Sequence, residues 1–123
     1  MIARAHLHSF RQSARKVRVL LDLIRGKSVG EAVSLLHFAR KRPAEDVLKL
    51  LRSAVANAGQ KGEYPADKLF VSGAWADGGL MFKKTEPKAM LRHGIMKRRT
   101  SHVTIEVDSV EAGGKPAAGA GGA

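Results

Sequence analysis

The eighteen residues from Phe82 to Arg99, FKKTEPKAMLRHGIMKRR, carry seven cations (Lys83, Lys84, Lys88, Arg92, Lys97, Arg98, Arg99) against one acid, Glu86. Such a segment cannot build a core, because its apolar residues are sparse and its like charges repel one another. Pro87 and Gly94 also argue against one uninterrupted helix. The remaining residues must therefore supply the whole hydrophobic interior. The basic segment must in turn find an external counter-charge.

The chain has 123 residues, enough for one domain with a modest core but not for two. Its 22 Lys and Arg outnumber 11 Asp and Glu, giving a formal charge of +11. A surplus of that size points to a polyanion, either nucleic acid or an anionic membrane. No apolar run approaches the ~20 residues that span a bilayer, and no secretory apolar stretch follows Met1. No membrane-spanning segment or secretory leader is therefore expected, and nucleic acid is the usual candidate. The absence of cysteine excludes disulfides and thiolate metal sites.

The apolar residues have clear periodicities. Ala3 to His8 alternates as a half-buried strand does. Ser13 is placed to cap a helix reaching Arg25, with Val17, Leu20, Leu21 and Ile24 on one face and Gly26 ending it. Ser28 and Glu31 have capping-box spacing for a second helix, whose stripe is Ala32, Leu35, Leu36 and Ala39. Pro43 suits the first turn of a third, which places Ala44, Val47, Leu48, Leu51, Val55 and Ala58 together and stops near Gly59. A strand is expected from Leu69 to Trp75 or Ala76, and another from Thr100 to Val107. With no helix between them to make a crossover, they pair antiparallel. The basic segment then becomes the far part of a β-hairpin, residues 77–99, whose connection is far longer than usual. Residues 109–123 are rich in Gly and Ala and read as a flexible tail. The expected fold is α+β in a single domain over 1–108.

Catalytic and metal motifs fail on inspection. Gly26-Lys27-Ser28 matches the end of a phosphate-binding loop, but Leu21 stands where its first glycine belongs and a helix precedes it. His6 and His8 share a strand face without a third ligand nearby in sequence, so a solvated or RNA-facing pair is expected. Glu45 and Asp46 are adjacent on a helix and point apart, which suits the helix dipole better than acid–base chemistry. No nucleophile is nominated, and no cofactor, metal or enzymatic activity is expected. The basic residues, in contrast, cluster by element: Arg11, Arg15, Lys16, Arg18, Arg25 and Lys27 around the first helix, Lys41 and Arg42 at a junction, and the remainder in the hairpin. Phosphate contact accounts for all three clusters together.

Four stretches, ARKVRVLLDLIRGKSVGEA (14–32), KRPAEDVLKLLRSAVANA (41–58), DKLFVSGAWADGG (67–79) and KRRTSHVTIEV (97–107), carry a specific resemblance. In that order and spacing the chain resembles the bacterial-type large ribosomal subunit protein twenty-two family, the universal tunnel-lining ribosomal proteins. The resemblance implies three helices against a three-stranded antiparallel sheet, with a long extended β-hairpin. It also implies a structural role in the large ribosomal subunit, binding of large-subunit ribosomal RNA and help in early assembly. The hairpin tip would line the nascent-polypeptide tunnel beside ribosomal protein four. With the charge clusters, it gives an expected RNA-binding set of Arg4, Arg11, Arg15, Lys16, Arg18, Arg25, Lys27, Lys41, Arg42, Lys83, Lys84, Lys88, Arg92, Lys97, Arg98, Arg99, Thr100, Ser101 and His102. The expected tunnel-facing tip is Lys84, Thr85, Glu86, Pro87, Lys88, Ala89, Met90 and Leu91. Family tips centre on P-R-A-x-G-R-A, whereas this one reads PKAMLRHG and is more apolar at Met90 and Leu91. A DNA-bending protein with basic β-arms is the alternative from composition alone, though no dimer seam is evident. A basic RNA-processing enzyme is a third reading, disfavoured by the missing catalytic constellation.

Overall fold

The computed structural model of the chain describes residues 2–62, 65–87 and 89–109, so Lys88 and positions 110–123 of the expected tail lie outside the described residues. In chain order the elements are β1 (Ala3–Phe10), α1 (Ala14–Ile24), α2 (Val29–Phe38), α3 (Ala44–Lys61), β2 (Leu69–Pro87) and β3 (His93–Ser109). Short 3₁₀ turns occupy Ala66–Lys68 and Ala89–Leu91. The strands form one antiparallel sheet in the order β1-β3-β2. This is the expected α+β arrangement.

The core lies between the helices and one face of the sheet. Ala3 and Ala5 of β1, Val103, Ile105 and Val107 of β3, and Val71, Ala74 and Ala76 of β2 are all buried. Against them pack Val17, Leu20, Leu21 and Ile24 of α1, the four residues whose spacing defines its stripe. In α3 the expected face is buried except Val55, which is partly covered, and Leu50 and Ala54 join it. The stripe of α2 is rotated from the expectation. Val29, Ala32 and Leu36 are buried while Leu35 is exposed, because the i, i+3, i+7 set begins one residue after the cap.

Turn chemistry fixes where the helices meet. Ser28 accepts a hydrogen bond from the Glu31 amide at 3.3 Å, as the capping spacing requires. Ser13 has the extended backbone of a cap, but its side chain makes no capping bond, contrary to the sequence expectation. Between α1 and α2, Gly26 adopts φ 80°, a left-handed conformation favourable only to glycine. Its amide donates to Val71 O and the Val71 amide donates to Lys27 O, both at 2.9 Å. The turn that resembled a phosphate loop is thus hydrogen-bonded to the edge of β2.

β2 and β3 run beyond the bounds read from periodicity and form a long extended β-hairpin, as the resemblance implies. They pair from Leu69↔Ser109 to Pro87↔His93, so the basic segment is itself strand rather than irregular connection. Two bulges conceal this in the sequence. An extra residue between Val71 and Gly73 brings both Val71 and Ala74 to the core face, and a second irregularity lies between Gly78 and Met81. Ser109, assigned by sequence to the tail, is buried opposite Leu69 and ends β3.

Candidate nucleic-acid interface

Where β2 and β3 leave the domain they pass the N-terminal end of α1, and a cleft of about 720 Å³ opens between them. Arg11, Gln12, Ser13 and Lys16 form one wall, Arg42 from the α2–α3 junction closes one side, and Phe82, Lys83, Lys84, Lys97, Arg98, Arg99 and Thr100 form the other wall. Eight of these twelve residues are basic and none is acidic. A second cleft of about 480 Å³ sits beside the Gly78–Met81 bulge, where Arg15 and Arg18 meet Arg99. Three sequence clusters that are far apart in the chain thus converge on the root of the paired arm.

The arrangement is costly without an anion. The first turn of α1 holds Arg15 and Lys16 and no acid, so the positive end of the helix dipole faces like charge; each such contact costs roughly 0.3–1 kcal/mol at a surface. On the arm Lys83 lies directly opposite Lys97, with Arg98 and Arg99 following. Like charges directly opposed across strands are destabilising. A polyanion seated in the cleft would remove both penalties at once.

Several expected RNA-binding residues have other partners. Arg18 donates from Nε (3.1 Å) and Nη2 (2.8 Å) to Ala76 O. Arg25 donates from Nε (3.1 Å) to Ala74 O and pairs with Asp22 at 2.7 Å. Together these guanidinium groups cap the outward carbonyls of edge strand β2. On the opposite edge, Asn57 donates to Arg4 O and Lys61 to Ile2 O. Arg4 lies on the outer sheet face within 3.4 Å of Glu106. Ser101 is 0% exposed, against the expectation of RNA contact, whereas Thr100, 3% exposed, still lines both clefts. Thr100 Oγ1 donates to Leu80 O at 2.6 Å, and Ser101 Oγ is buried without a hydrogen-bond partner. Ser101 shares the core face of Val103 and Ile105, whereas Thr100 lies on the face of His102 and is covered beside Gly79.

His102 is half-buried and accepts the Ser9 amide at Nδ1, 3.0 Å away. Its ring lies 5.4 Å from His8, which stacks on His6 at 5.7 Å. This Nδ1 lone pair is already engaged, and no group of three or more metal-binding side chains capable of holding an ion occurs among the described residues. Lys27 belongs to the turn at the far end of α1, and Lys41 is exposed beside Arg42 without lining the cleft. Arg92 is exposed at the outer end of the arm, and Lys88 lies outside the described residues. At that end Thr85 and Pro87 are exposed, Glu86 is half-buried, and Met90 is 89% exposed with φ 59°.

Sequence reasoning missed Gln12, Ser13 and Phe82 as cleft residues. The absence of an acid in the first turn of α1 was the available signal for Ser13; nothing in the spacing marked Phe82.

Comparisons with known proteins find relatives over most of the chain. A family model described as ribosomal protein L22p/L17e matches residues 5–108. The chain is 48% identical over 111 residues to the large ribosomal subunit protein uL22 of Thermoanaerobacter pseudethanolicus, covering 90% of this chain and 100% of that one. It is 45% identical over 105 residues to the uL22 protein of Citrifermentans bemidjiense, covering 85% and 95%. The Clostridium novyi uL22 protein is 46% identical over 107 residues, covering 87% and 96%.

Proposed function

This chain belongs to the ribosomal protein L22p/L17e family, and from that premise we propose that it is a structural constituent of the large ribosomal subunit that holds ribosomal RNA at the root of its arm. The observation carrying the RNA contact is the cleft, with eight cations and no acid drawn from three separate sequence clusters. Phosphate oxygens accept from lysine and arginine, and their counterion release provides most of the affinity. Buried apolar residues hold the α1 wall and backbone pairing holds the arm wall, while the cations remain exposed for a partner.

The arm extends this reading. With RNA packed along it, the Lys83–Lys97 opposition is neutralised and residues 84–87 and 89–91 are presented beyond the domain. There they border the nascent-polypeptide tunnel beside ribosomal protein four. The domain thereby joins RNA segments that are distant in sequence, which assists early assembly of the subunit in the cytoplasm. No helix among the described residues is long and apolar enough to cross a membrane. The DNA-bending alternative draws no support from the family match.

Sedimentation tests the reading directly. Tagged protein should comigrate with the large subunit on a sucrose gradient and crosslink to its RNA through Lys83, Lys97 or Arg98. Protein found free, or bound to the nucleoid, would reject it. Deleting Lys83, Lys84 and Thr85 in assembled ribosomes should alter nascent-chain passage, and unchanged passage would reject the tunnel placement.

A further inference from the structure

Phe82 is the one aromatic side chain in the cationic cleft, and charge alone gives no reason for it to be there. It is 49% exposed on β2, directly opposite Arg98 of β3. Residues opposed in an antiparallel pair project from the same face with Cβ atoms about 5 Å apart. Their Cβ atoms therefore lie side by side, and Lys84, two residues further along the strand, shares their face. A purely phosphate-binding surface has no use for a ring. An apolar protein partner would have to desolvate the cations around it, which is unfavourable. A nucleotide supplies both chemistries together, an apolar π-face and a negative charge one ribose away.

We infer that Phe82 and Arg98 form a stacking platform for an unpaired base, so that the cleft selects single-stranded or looped RNA over duplex. This rests on the RNA-binding reading above and deepens it. A duplex keeps its bases stacked inward and can offer the cleft only phosphates. An extruded base can lie on the ring while Lys84, on the same face, and Arg42 hold the flanking phosphates. Phe82 is thus a specificity-determining residue, and the cations around it supply affinity without choosing among RNA forms.

The full chain can be titrated with two probes at one salt concentration: an oligoadenylate strand and a blunt RNA duplex with the same number of phosphates. Phe82→Leu should weaken oligoadenylate binding by roughly 5- to 100-fold, the range of one lost base–aromatic stack, while duplex affinity and salt slope stay unchanged. Phe82→Trp should restore the strand preference. Because the position lies outside the core, circular dichroism should show all variants folded. Equal loss on both probes, or no loss on either, would overturn the platform. So would a Phe82→Leu variant with intact RNA binding but poor incorporation into subunits, which would assign the ring to a protein contact. The underlying RNA reading fails separately, if wild-type protein binds neither probe or if Lys83→Gln with Lys97→Gln leaves both affinities unchanged.

Discussion

Two basic side chains on one helix illustrate how similar groups divide between structure and recognition. Arg18 reaches back to Ala76 O, whereas Lys16, two residues earlier, lines the cleft. Replacing Arg18 by Gln should cost about 0.5–1.5 kcal/mol of stability, because the edge carbonyl loses a charged donor to which water has partial access. Lys16→Gln should leave the urea midpoint in place and weaken RNA binding. If urea melts show the two variants equally stable, the edge-capping role of Arg18 is wrong. Ser101 makes the complementary case. Its hydroxyl is buried and unpartnered, a state that costs roughly 1–3 kcal/mol. Ser101→Ala should thus be neutral or stabilising in thermal melts, with RNA affinity unaltered. Destabilisation would mean that the hydroxyl has a partner, and lost affinity would return the residue to the binding set.

At the scale of elements, the arm is held by backbone pairing against its own charge. Lys83 opposes Lys97, and no residue between 77 and 99 belongs to the hydrophobic core among those described. Lys97→Glu converts that repulsion into an attractive pair, worth roughly 0.2–1 kcal/mol. Amide hydrogens from Met81 to Thr85 should then exchange more slowly in the free protein, and exchange as fast as wild type would deny the repulsion any role. The same balance explains what could be read without coordinates. α1 was legible because Val17, Leu20, Leu21 and Ile24 repeat at helical spacing and all four are buried. β3 was legible over Val103, Ile105 and Val107 for the matching reason, strict alternation against a core. β2 beyond Ala76 was not, since bulges at Ser72 and at Gly79–Leu80 break its alternation and the arm has no buried face to impose one. Gly79 serves the second bulge: a Cβ there would stand 2.7 Å from Thr100 Oγ1. The cleft could be anticipated as charge clusters, but its assembly from Arg11, Arg42 and Lys97 required knowing which way the strands leave the domain.

Across the whole molecule, stability and charge occupy separate territories. The core is drawn from residues 3–58, 69–76 and 103–107, and the cations of the cleft lie outside it. Changes to one should therefore leave the other intact. Leu21→Ala, at a fully buried position, should cost about 2–5 kcal/mol through the cavity it leaves. Its RNA affinity should hold below the melting transition. Deleting Lys83, Lys84 and Thr85 tests the converse. The deletion removes two cations and, being an odd number of residues, turns the remainder of β2 in the arm to the opposite face. No core contact is touched, so the urea midpoint of the free protein should stay within about 0.5 kcal/mol of wild type, as for surface changes generally. Binding behaves differently. If wild type neutralises six to ten phosphates, its affinity for RNA should fall by roughly 10³–10⁵ between about 50 and 200 mM salt. The deletion should reduce the log–log salt slope by about 1.4–1.8, two lysines at 0.7–0.9 each. A deletion that unfolds the domain would place the arm within the core's cooperative unit. A slope that does not change would show that Lys83 and Lys84 contact no phosphate, leaving Arg11, Lys16 and Arg42 to carry the interaction from the helix side alone.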